Sequence, residues 1–246
     1  LKMNRVHAAL VHLSASIVIG VVLLALFWFV WYPDPLFRTS GALPIFLTLV
    51  GVDVAIGPLL TLVVFKQGKR SLYFDVAVIV ALQAAAMTYG AVTLYAGRPV
   101  YVAGLGHRFD VIHANEVADS DLARSGTELP KWGPLWVGTR VAADAAERER
   151  VLSSSLSGVD YGHMPQHHVP LTEMREELRK RAEPIADLRV RNPQQQGDIN
   201  AWLSRRQLDE RNVLFLGLKD RAEDMAVIID AKTAEVIGIA PFKPWD

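Results

Sequence analysis

The sequence predicts a membrane α region of three transmembrane helices, residues 1–97, followed by an extracytoplasmic α+β domain with an antiparallel sheet, residues 98–246. Three observations predict this class. Apolar segments at about residues 10–31, 44–65 and 76–96 are each long enough to cross roughly 30 Å of hydrocarbon as a helix. Three short apolar strands separated by polar turns end the chain. Hydrophobic residues make up 51% of the 246, and most charged residues follow Gly97.

Charge and cysteine content limit the classes of function that the protein can have. Six basic and three acidic residues precede Gly97, so a region of net charge +3 comes before one of −3. Neither value favours nucleic acid as a partner, because polyanions select strongly basic surfaces. The chain contains no cysteine, which excludes disulfides, thiol catalysis and cysteine-ligated metal sites.

The first span is expected to be a retained anchor rather than a cleaved signal peptide. Lys2 and Arg5 supply the basic start that both kinds of segment have. The uncharged run that follows is longer than the roughly 7–15 residues of a signal-peptide core. It ends in an aromatic segment at residues 27–33, which is typical of a membrane interface rather than of a cleavage site.

Basic residues also set the predicted orientation. The loop at residues 66–71 contains Lys66, Lys69 and Arg70, whereas the loop between the first two spans contains only Arg38. Because cytoplasmic loops are enriched in Lys and Arg, the N-terminus is expected in the cytoplasm and everything after Gly97 in the periplasm. The outer side of this orientation is the periplasm if the cell is Gram-negative.

Asp75 lies at the cytoplasmic end of the third span, within reach of Lys69 and Arg70. A carboxylate in the first turn of a helix is stabilised by the helix dipole. These three residues are therefore expected to serve structure and topology. An intramembrane enzyme that pairs Asp75 with Asp53 is disfavoured, since the two residues lie on separate helices and at different depths.

Each span carries one stripe of small or polar residues at helical spacing. Small residues allow helix backbones to approach closely, and polar ones form hydrogen bonds across the contact. The stripes therefore either pack the three helices on one another or leave part of this face open to a partner's transmembrane helix. In chain order they contain His12, Ser16 and Gly20; Asp53, Gly57 and Thr61; and Gln83, Ala86, Gly90 and Thr93.

Asp53 is the most informative position, because an unpaired carboxylate in hydrocarbon costs several kcal/mol. One interpretation gives it a cation on a partner helix or client protein. The other gives it an internal hydrogen bond to His12, Gln83 or a threonine. Pro58 is expected to kink the second helix nearby. The residues predicted to bind a partner are Asp53, Gly57, Pro58, Thr61, Gln83 and Gly90.

After Gly97 the pattern changes to the short strands and helices of an α+β domain. Turn-forming residues separate them. Strands are predicted at residues 100–103, 109–113, 135–139, 213–218, 225–229 and 235–240, and the last three form an antiparallel meander. Helices are predicted at residues 116–124, 142–156, 173–182 with Thr172 as N-cap, and 198–206 with Asp198 as N-cap.

His163, His167 and His168 invite comparison with a metal site. Pro165 interrupts the segment, so the histidines lack the fixed spacing of a helical metal pair, and no carboxylate pattern completes a site. We therefore predict a solvated loop here, with a solvated charged face on the helix that follows. The sequence contains no nucleophile elbow, phosphate loop, zinc-protease or dinucleotide motif. No enzymatic activity, cofactor or metal is expected.

A set of residues along the chain matches a known family. They are Trp31-Tyr32-Pro33; Gly51 and Asp53 with Gly57-Pro58 and Thr61; Lys69, Ser71 and Asp75; Gln83 with Tyr89-Gly90; and Arg98-Pro99. On these residues the chain resembles the TfpX/TfpZ family of type IV pilin accessory proteins, over nearly its whole length and most specifically at residues 31–110. One departure lies in the last hairpin, where Ala234 stands in place of the glycine of an expected Thr-Gly turn.

The resemblance implies an inner-membrane accessory protein that assists assembly of a cognate type IV pilin in a chaperone-like way, without catalysing a reaction. The partners implied are a pilin (major or minor), membrane lipids and other inner-membrane proteins of pilus assembly. A three-helix region with an outward domain suits contact with a pilin's transmembrane helix and periplasmic head. The alternative is a membrane-anchored extracytoplasmic sensor or ligand-binding protein, because the last hairpin weakly resembles PepSY-type domains.

Overall fold

The structure, a computed structural model, describes residues 4–66 and 69–245. Lys2, Gln67 and Gly68 lie outside these ranges, so the topology argument that uses Lys2 and the middle of the basic loop stays a prediction. The chain folds as two compact units. The first comprises Leu1–Phe37 and Gly41–Gly97, and the second comprises Arg38–Ser40 and Arg98–Asp246.

The part of the chain before Gly97 is almost entirely helical. Asn4 begins the first helix by accepting a hydrogen bond from the His7 backbone N–H at 2.8 Å. The three long helices have the length and apolar composition needed to cross a membrane, which confirms the predicted class. The helices are α1 (Arg5–Leu26, continued by a π-helical turn at Phe27–Trp31), α2 (Leu36–Thr39), α3 (Ala42–Val64) and α4 (Leu72–Ala96).

Glycines let the long helices pack closely. α1 and α4 each lie along α3. A Cβ atom on Gly20 of α1 would lie 2.9 Å from Val50 Cγ1 of α3, and one on Gly90 of α4 would lie 2.6 Å from Leu49 Cδ1. Both contacts therefore depend on the missing side chain. These parts of the stripes pack the helices on one another.

An aromatic cluster closes one end of the helix bundle. Phe27 contacts Phe46 of α3 with ring centroids 5.9 Å apart. Trp31 contacts Tyr95 of α4 in an edge-to-face arrangement at 4.7 Å. Edge-to-face pairs add about 0.5–1.5 kcal/mol to the free energy gained by burial. All three long helices are therefore held together at this end.

Only some rings of the aromatic segment at residues 27–33, which is predicted to lie at a membrane interface, are exposed. Phe29 is 78% exposed, but Phe27 and Tyr32 are 0% and 2% exposed. The Tyr32 hydroxyl donates to the Leu94 carbonyl at 2.6 Å. Phe27 and Tyr32 therefore pack inside the bundle, at the two ends of a π-helical turn closed by the Tyr32 N–H to the Phe27 carbonyl at 2.7 Å. The position of the aromatic segment at a membrane interface stays a prediction.

The second unit is built on one eight-stranded sheet. Its strands are β1 (Pro99–Gly104), β2 (Arg108–His113), β3 (Leu135–Thr139), β4 (His168–Pro170), β5 (Glu183–Pro184), β6 (Val213–Lys219), β7 (Met225–Asp230) and β8 (Val236–Ala240). Their order is β4-β3-β1-β2-β6-β7-β8, with β5 paired to β6. The sequence missed β4 and β5, which are too short to show an apolar alternation.

Strand directions are mixed. The meander β6-β7-β8 is antiparallel, as predicted, and so is the hairpin of β1 and β2. However, β3 runs parallel to β1, and β6 runs parallel to β2. The sheet is therefore mixed where an antiparallel one was expected. Parallel neighbours need long crossover connections, and a local apolar pattern predicts a strand without identifying such a distant partner.

Five α-helices accompany the sheet. They are α5 (Asp119–Ser125), α6 (Ala145–Ser155), α7 (Arg175–Arg181), α8 (Ile185–Arg191) and α9 (Gln196–Arg205). Two predicted N-caps are wrong. A 3-10 turn at Leu171–Met174 precedes α7, so Thr172 lies before the helix. A turn that ends at Gln195 starts α9 early, which places Asp198 in the first helical turn, where a carboxylate still favours the dipole.

Helices α8 and α9 cover one face of the sheet, as an α+β domain requires. Trp202 of α9 and Phe215 of β6 are 4% and 1% exposed. Each fully buried side chain of this size contributes roughly 1.5–3 kcal/mol relative to exposure. The core cluster contains Ile185, Leu188, Ile199, Trp202, Leu203, Val213, Phe215, Ala226, Ile228, Ala240 and Phe242.

The end of the chain crosses the sheet at a glycine. A Cβ atom on Gly217 would lie 1.7 Å from Trp245 Cζ3, so only glycine leaves room for the indole. Trp245 Nε1 donates to Asp224 Oδ2 at 2.9 Å. In the hairpin before this segment Ala234 has φ of +54°, a conformation that favours glycine. The turn keeps the backbone shape of a Thr-Gly turn although it contains alanine.

Candidate functional site

An open groove lies between α1 and α4 in the first unit. Its volume is about 540 Å³. Residues 8–19 of α1 form one wall, residues 76–88 of α4 form the other, and α3 forms the floor. Val11, Ile19 and Val80 on the walls are 64%, 49% and 50% exposed. The polar side chains that line it are His12, Ser16, Asp53, Thr61, Gln83 and Thr88.

Asp53 and Gln83 form the polar centre of the groove. Gln83 Nε2 donates to Asp53 Oδ1 at 2.5 Å and to the Asp53 backbone carbonyl at 3.2 Å. Gly57, one helical turn after Asp53, makes this contact possible, since a Cβ atom there would lie 2.2 Å from Gln83 Nε2. The structure thus gives Asp53 one of the internal partners that the sequence suggested.

Pro58 adds to this arrangement from inside α3. Proline has no N–H, so the Val54 carbonyl loses its i−4 donor. The neighbouring Asp53 carbonyl is the one that Gln83 reaches. Gly57 therefore leaves room for Gln83 at the Asp53 carbonyl, whereas Pro58 frees the adjacent Val54 carbonyl. The expected kink at Pro58 stays a prediction.

A second polar contact joins α1 to α3 on the other side of the groove. His12 Nδ1 lies 2.7 Å from Thr61 Oγ1. Ser16, one turn after His12, is 3% exposed. Intramembrane hydrogen bonds of this kind contribute about 0.6 kcal/mol on average. The contact fixes one wall of the groove against its floor.

The groove also holds hydrogen-bond acceptors that lack donors. Among the described residues, Gln83 Oε1 is buried and has no hydrogen-bond partner. Asp53 Oδ2 is accessible rather than buried, and it accepts no hydrogen bond within this part of the chain, since Gln83 donates to Oδ1 and to the backbone carbonyl. An unsatisfied buried acceptor costs about 1–3 kcal/mol. The floor is therefore short of donors.

The predicted partner-binding residues divide into two groups. Asp53, Thr61 and Gln83 line the groove. Gly57 and Pro58 are buried directly beneath it, and Gly90 lies in the contact of α4 with Leu49. The sequence pattern placed His12 and Ser16 in a stripe but not in the site, because nothing in it predicted that α1 and α4 would stand apart.

Lys69 and Asp75 form an ion pair at the start of α4. Ser71 Oγ donates to Asp75 Oδ2 at 3.1 Å. Arg70 is exposed in the turn between them. This arrangement suits the structural role that the sequence suggested for the three residues.

The histidine segment of the second unit is not a solvated loop. The side chains of His163 and His167 are only 12% and 13% exposed. His163 lies 3.2 Å from Asp160, and His167 lies 3.1 Å from Glu147. The prediction is wrong because two 3-10 turns and β4 carry this segment onto the sheet. Within the described ranges, no group of three metal-ligating side chains forms here or elsewhere.

These contacts change proton affinities in the second unit. The Arg150 guanidinium, and after it His167, lower the pKa of Glu147 to about 2. Burial lowers the pKa of His168. Neutral His168 donates from Nε2 to the Gly162 carbonyl at 2.9 Å and contacts the edge of Tyr101. The histidines therefore serve the packing of the domain.

A buried carboxylate organises another polar cluster, one the sequence did not reveal. Asp220 Oδ2 accepts from Thr39 Oγ1 at 2.6 Å and from Ser40 Oγ at 2.9 Å. Asp220 Oδ1 accepts from His113 Nε2 at 2.9 Å. The Glu116 side chain in turn accepts from the His113 backbone N–H at 2.8 Å. The side chains of His113 and Asp220 are fully buried.

Known proteins resemble this chain along most of its length. A family model described as "Fimbrial assembly protein FimB" matches residues 2–41. Two fimbrial assembly proteins of Dichelobacter nodosus, of serogroups I and E1, are each 29% identical over 227 residues, which cover 89% of this chain and 88% of the relative. A third, of serogroups C1 and C2, is 35% identical over 94 residues, which cover 37% of this chain and 72% of the relative. The chain belongs to the fimbrial assembly protein family.

No solved structure matches this member of the fimbrial assembly protein family. The residues that the family model matches contain α1 with His12 and Ser16, which line the groove. They also contain Thr39 and Ser40, which bind Asp220. Both polar clusters therefore include residues of the matched segment.

Proposed function

We propose that the chain is an accessory protein of type IV pilus assembly, of the TfpX/TfpZ kind, which holds the transmembrane helix of a pilin in the groove between α1 and α4. Relatives of nearly the same length are named fimbrial assembly proteins. The observation that carries the proposal is the groove itself, which has apolar walls and a polar floor within a set of membrane-type helices.

The size of the groove suits one helix. The lining residues of α1 and α4 span about 16–18 Å, or three helical turns. Three turns of a helix about 10 Å across fill roughly 1,300 Å³, and the groove has about 540 Å³. A docked helix would therefore bury part of its circumference and leave the remainder facing lipid.

The second unit acts with the groove. In the proposed orientation the N-terminus is cytoplasmic and the second unit is periplasmic, where it contacts the pilin head. A weak contact to the helix and a weak contact to the head would then combine through effective concentration. The protein would assist assembly by binding, without catalysing a reaction.

Site-specific crosslinking tests this function. A photoreactive residue at Val80, on the wall of the groove, should capture the cognate pilin in cells that make both proteins. The matched control is Leu82, two residues further along α4, which is 67% exposed and does not line the groove. Equal capture from both positions, or capture of no pilin from Val80, would contradict the proposal.

An extracytoplasmic ligand-binding role is the second candidate, and a pocket in the second unit favours it. The pocket has a volume of about 380 Å³ and is lined by Arg108, Lys219 and the Trp245 ring, among others. Glu183 and Asp224 also line it, and its arginines Arg108 and Arg191 pair with Asp110 and Glu183. Lys219 is therefore the basic group that would bind a carboxylate ligand there. Titration of the intact protein with small carboxylates should raise its melting temperature, and Lys219→Ala should abolish this rise. No rise with any of them counts against this role.

A further inference from the structure

Asp53 and Gln83 hold hydrogen-bond acceptors without donors at mid-membrane depth in the groove. Gln83 Oε1 is buried and has no partner within the described residues, and Asp53 Oδ2, on a residue that lines the groove, accepts no hydrogen bond there. Asp53 lies eleven residues from each end of α3, or about 16 Å by the helical rise. Polar groups at such a depth are costly unless they are paired.

The acyl chains of lipids do not supply the missing hydrogen-bond donor. An acyl chain fills apolar space but carries no N–H or O–H, so it leaves both acceptors unpaired. A helix with only apolar side chains has the same defect, since its own backbone N–H groups are used internally. Among helices that fit the groove, one that carries a hydrogen-bond donor or a positive charge opposite Asp53 is therefore favoured.

We propose that the groove is specific for a partner helix that carries a hydrogen-bond donor, best an amine, near the middle of its membrane-spanning length. This inference rests on the proposed function, in which the groove holds a helix. It adds the chemical feature by which the helix is recognised. The donor pairs with Asp53 Oδ2, while His12 Nδ1 and Thr61 Oγ1 already share a hydrogen bond on the opposite side.

The pairing also explains why the acceptors are held in place without an occupant. Gln83 Nε2 donates to Asp53, and this hydrogen bond holds the carboxylate in one position. Gly57 keeps the space for the amide. The carboxylate is therefore positioned before a partner arrives, so less conformational freedom is lost on binding.

Designed transmembrane peptides test the inference without any pilin. The full-length protein is reconstituted in lipid vesicles with a labelled Leu/Ala helix that carries one Lys at its centre. The comparison peptides carry Leu at the centre, or the Lys two turns from the centre. Energy transfer should show the central-Lys peptide binding about five- to thirty-fold tighter than the other two, the range set by intramembrane hydrogen bonds of model peptides.

Variants assign the preference to the carboxylate. Asp53→Asn keeps an acceptor for Gln83 and should remove most of the preference for the central Lys. Ala84→Phe fills the groove from an exposed wall position and should weaken all three peptides. Thr48→Val, whose hydroxyl bonds only the Pro44 carbonyl of its own helix, is the control and should change nothing.

Two results would overturn the inference: equal binding of the three peptides to the unmodified protein, or an unchanged preference in Asp53→Asn. If pilin is captured from Val80 but the peptides bind equally, the proposed function stands and this inference fails. If the central-Lys peptide is preferred but no pilin is captured, the groove recognises a donor on another partner.

Discussion

Asp53 and Asp220 are two carboxylates in opposite hydrogen-bonding surroundings. Asp220 accepts from two hydroxyls, from His113 and from the Arg221 backbone N–H, and its side chain is fully buried. Among the described residues Asp53 accepts from Gln83 alone, its Oδ2 accepts no hydrogen bond, and the residue lines an open groove. A carboxylate with every lone pair used holds a fold together, whereas one with a free oxygen can bind something else.

The largest expected effect comes from Asp220→Ala. This change removes the carboxylate that accepts from Thr39, Ser40 and His113, and should lower the free energy of unfolding of the second unit by about 3–5 kcal/mol. Hydrogen exchange of the β6 and β7 amides in the intact protein measures this. Glu128→Ala, at an exposed surface pair with Lys131, should leave exchange unchanged. Equal exchange in both variants would mean that the cluster is not structural.

A pair of glycines in α3 tests the contact that orients Asp53. Gly57→Ala forces a methyl group into the Gln83 amide and should destabilise the protein by about 1–3 kcal/mol. A Cβ atom on Gly51, in the same helix, would meet nothing within 4 Å, so Gly51→Ala should be neutral or stabilise by up to about 1 kcal/mol. Thermal unfolding in detergent compares them. Similar losses in both variants would argue against a tight contact at Gly57.

Asp53→Ala separates function from stability. Removing one intramembrane hydrogen bond costs about 0.6 kcal/mol on average, far less than the loss expected for Asp220→Ala. The variant should therefore accumulate normally while the number of surface pili falls. Quantitative blotting of the protein and pilus counts by electron microscopy measure the two quantities. A matching fall in the level of the protein itself would make Asp53 a structural residue like Asp220.

The contrast also shows which features a sequence pattern can predict. The three membrane-type helices follow from long, uninterrupted apolar runs. The β6-β7-β8 meander follows from three apolar segments that polar turns separate. The two stripes that contain Asp53 and Gln83 were visible because their residues recur at helical spacing. The burial of Phe27 and Tyr32 was not visible, since an aromatic run does not show which of its rings pack against the other helices.

Contacts between distant parts of the chain left no such pattern. Asp220 binds Thr39 across about 180 residues, and nothing in the local sequence of either residue indicates the other. The parallel pairing of β2 with β6 was missed for the same reason. The groove combines both cases, because its polar residues were predicted but the gap between α1 and α4 was not.

The smallest expected effect concerns pH and the second unit. Burial lowers the pKa of His168, so the unfolded chain binds a proton more readily than the folded one. Stability from this group is therefore fully present above about pH 6.5, the ordinary histidine pKa, and is lost as the pH falls below it. Hydrogen exchange of β4 and its partner β3 should accelerate on acidification.

His168→Gln tests this dependence, because the amide can still donate to the Gly162 carbonyl but does not titrate. Exchange in this variant should vary less with pH than in the unmodified protein. The same change at His107, an exposed side chain, is the control and should keep the full dependence. If His168→Gln retains it as well, the acid sensitivity lies in the carboxylates of this unit rather than in the buried imidazole.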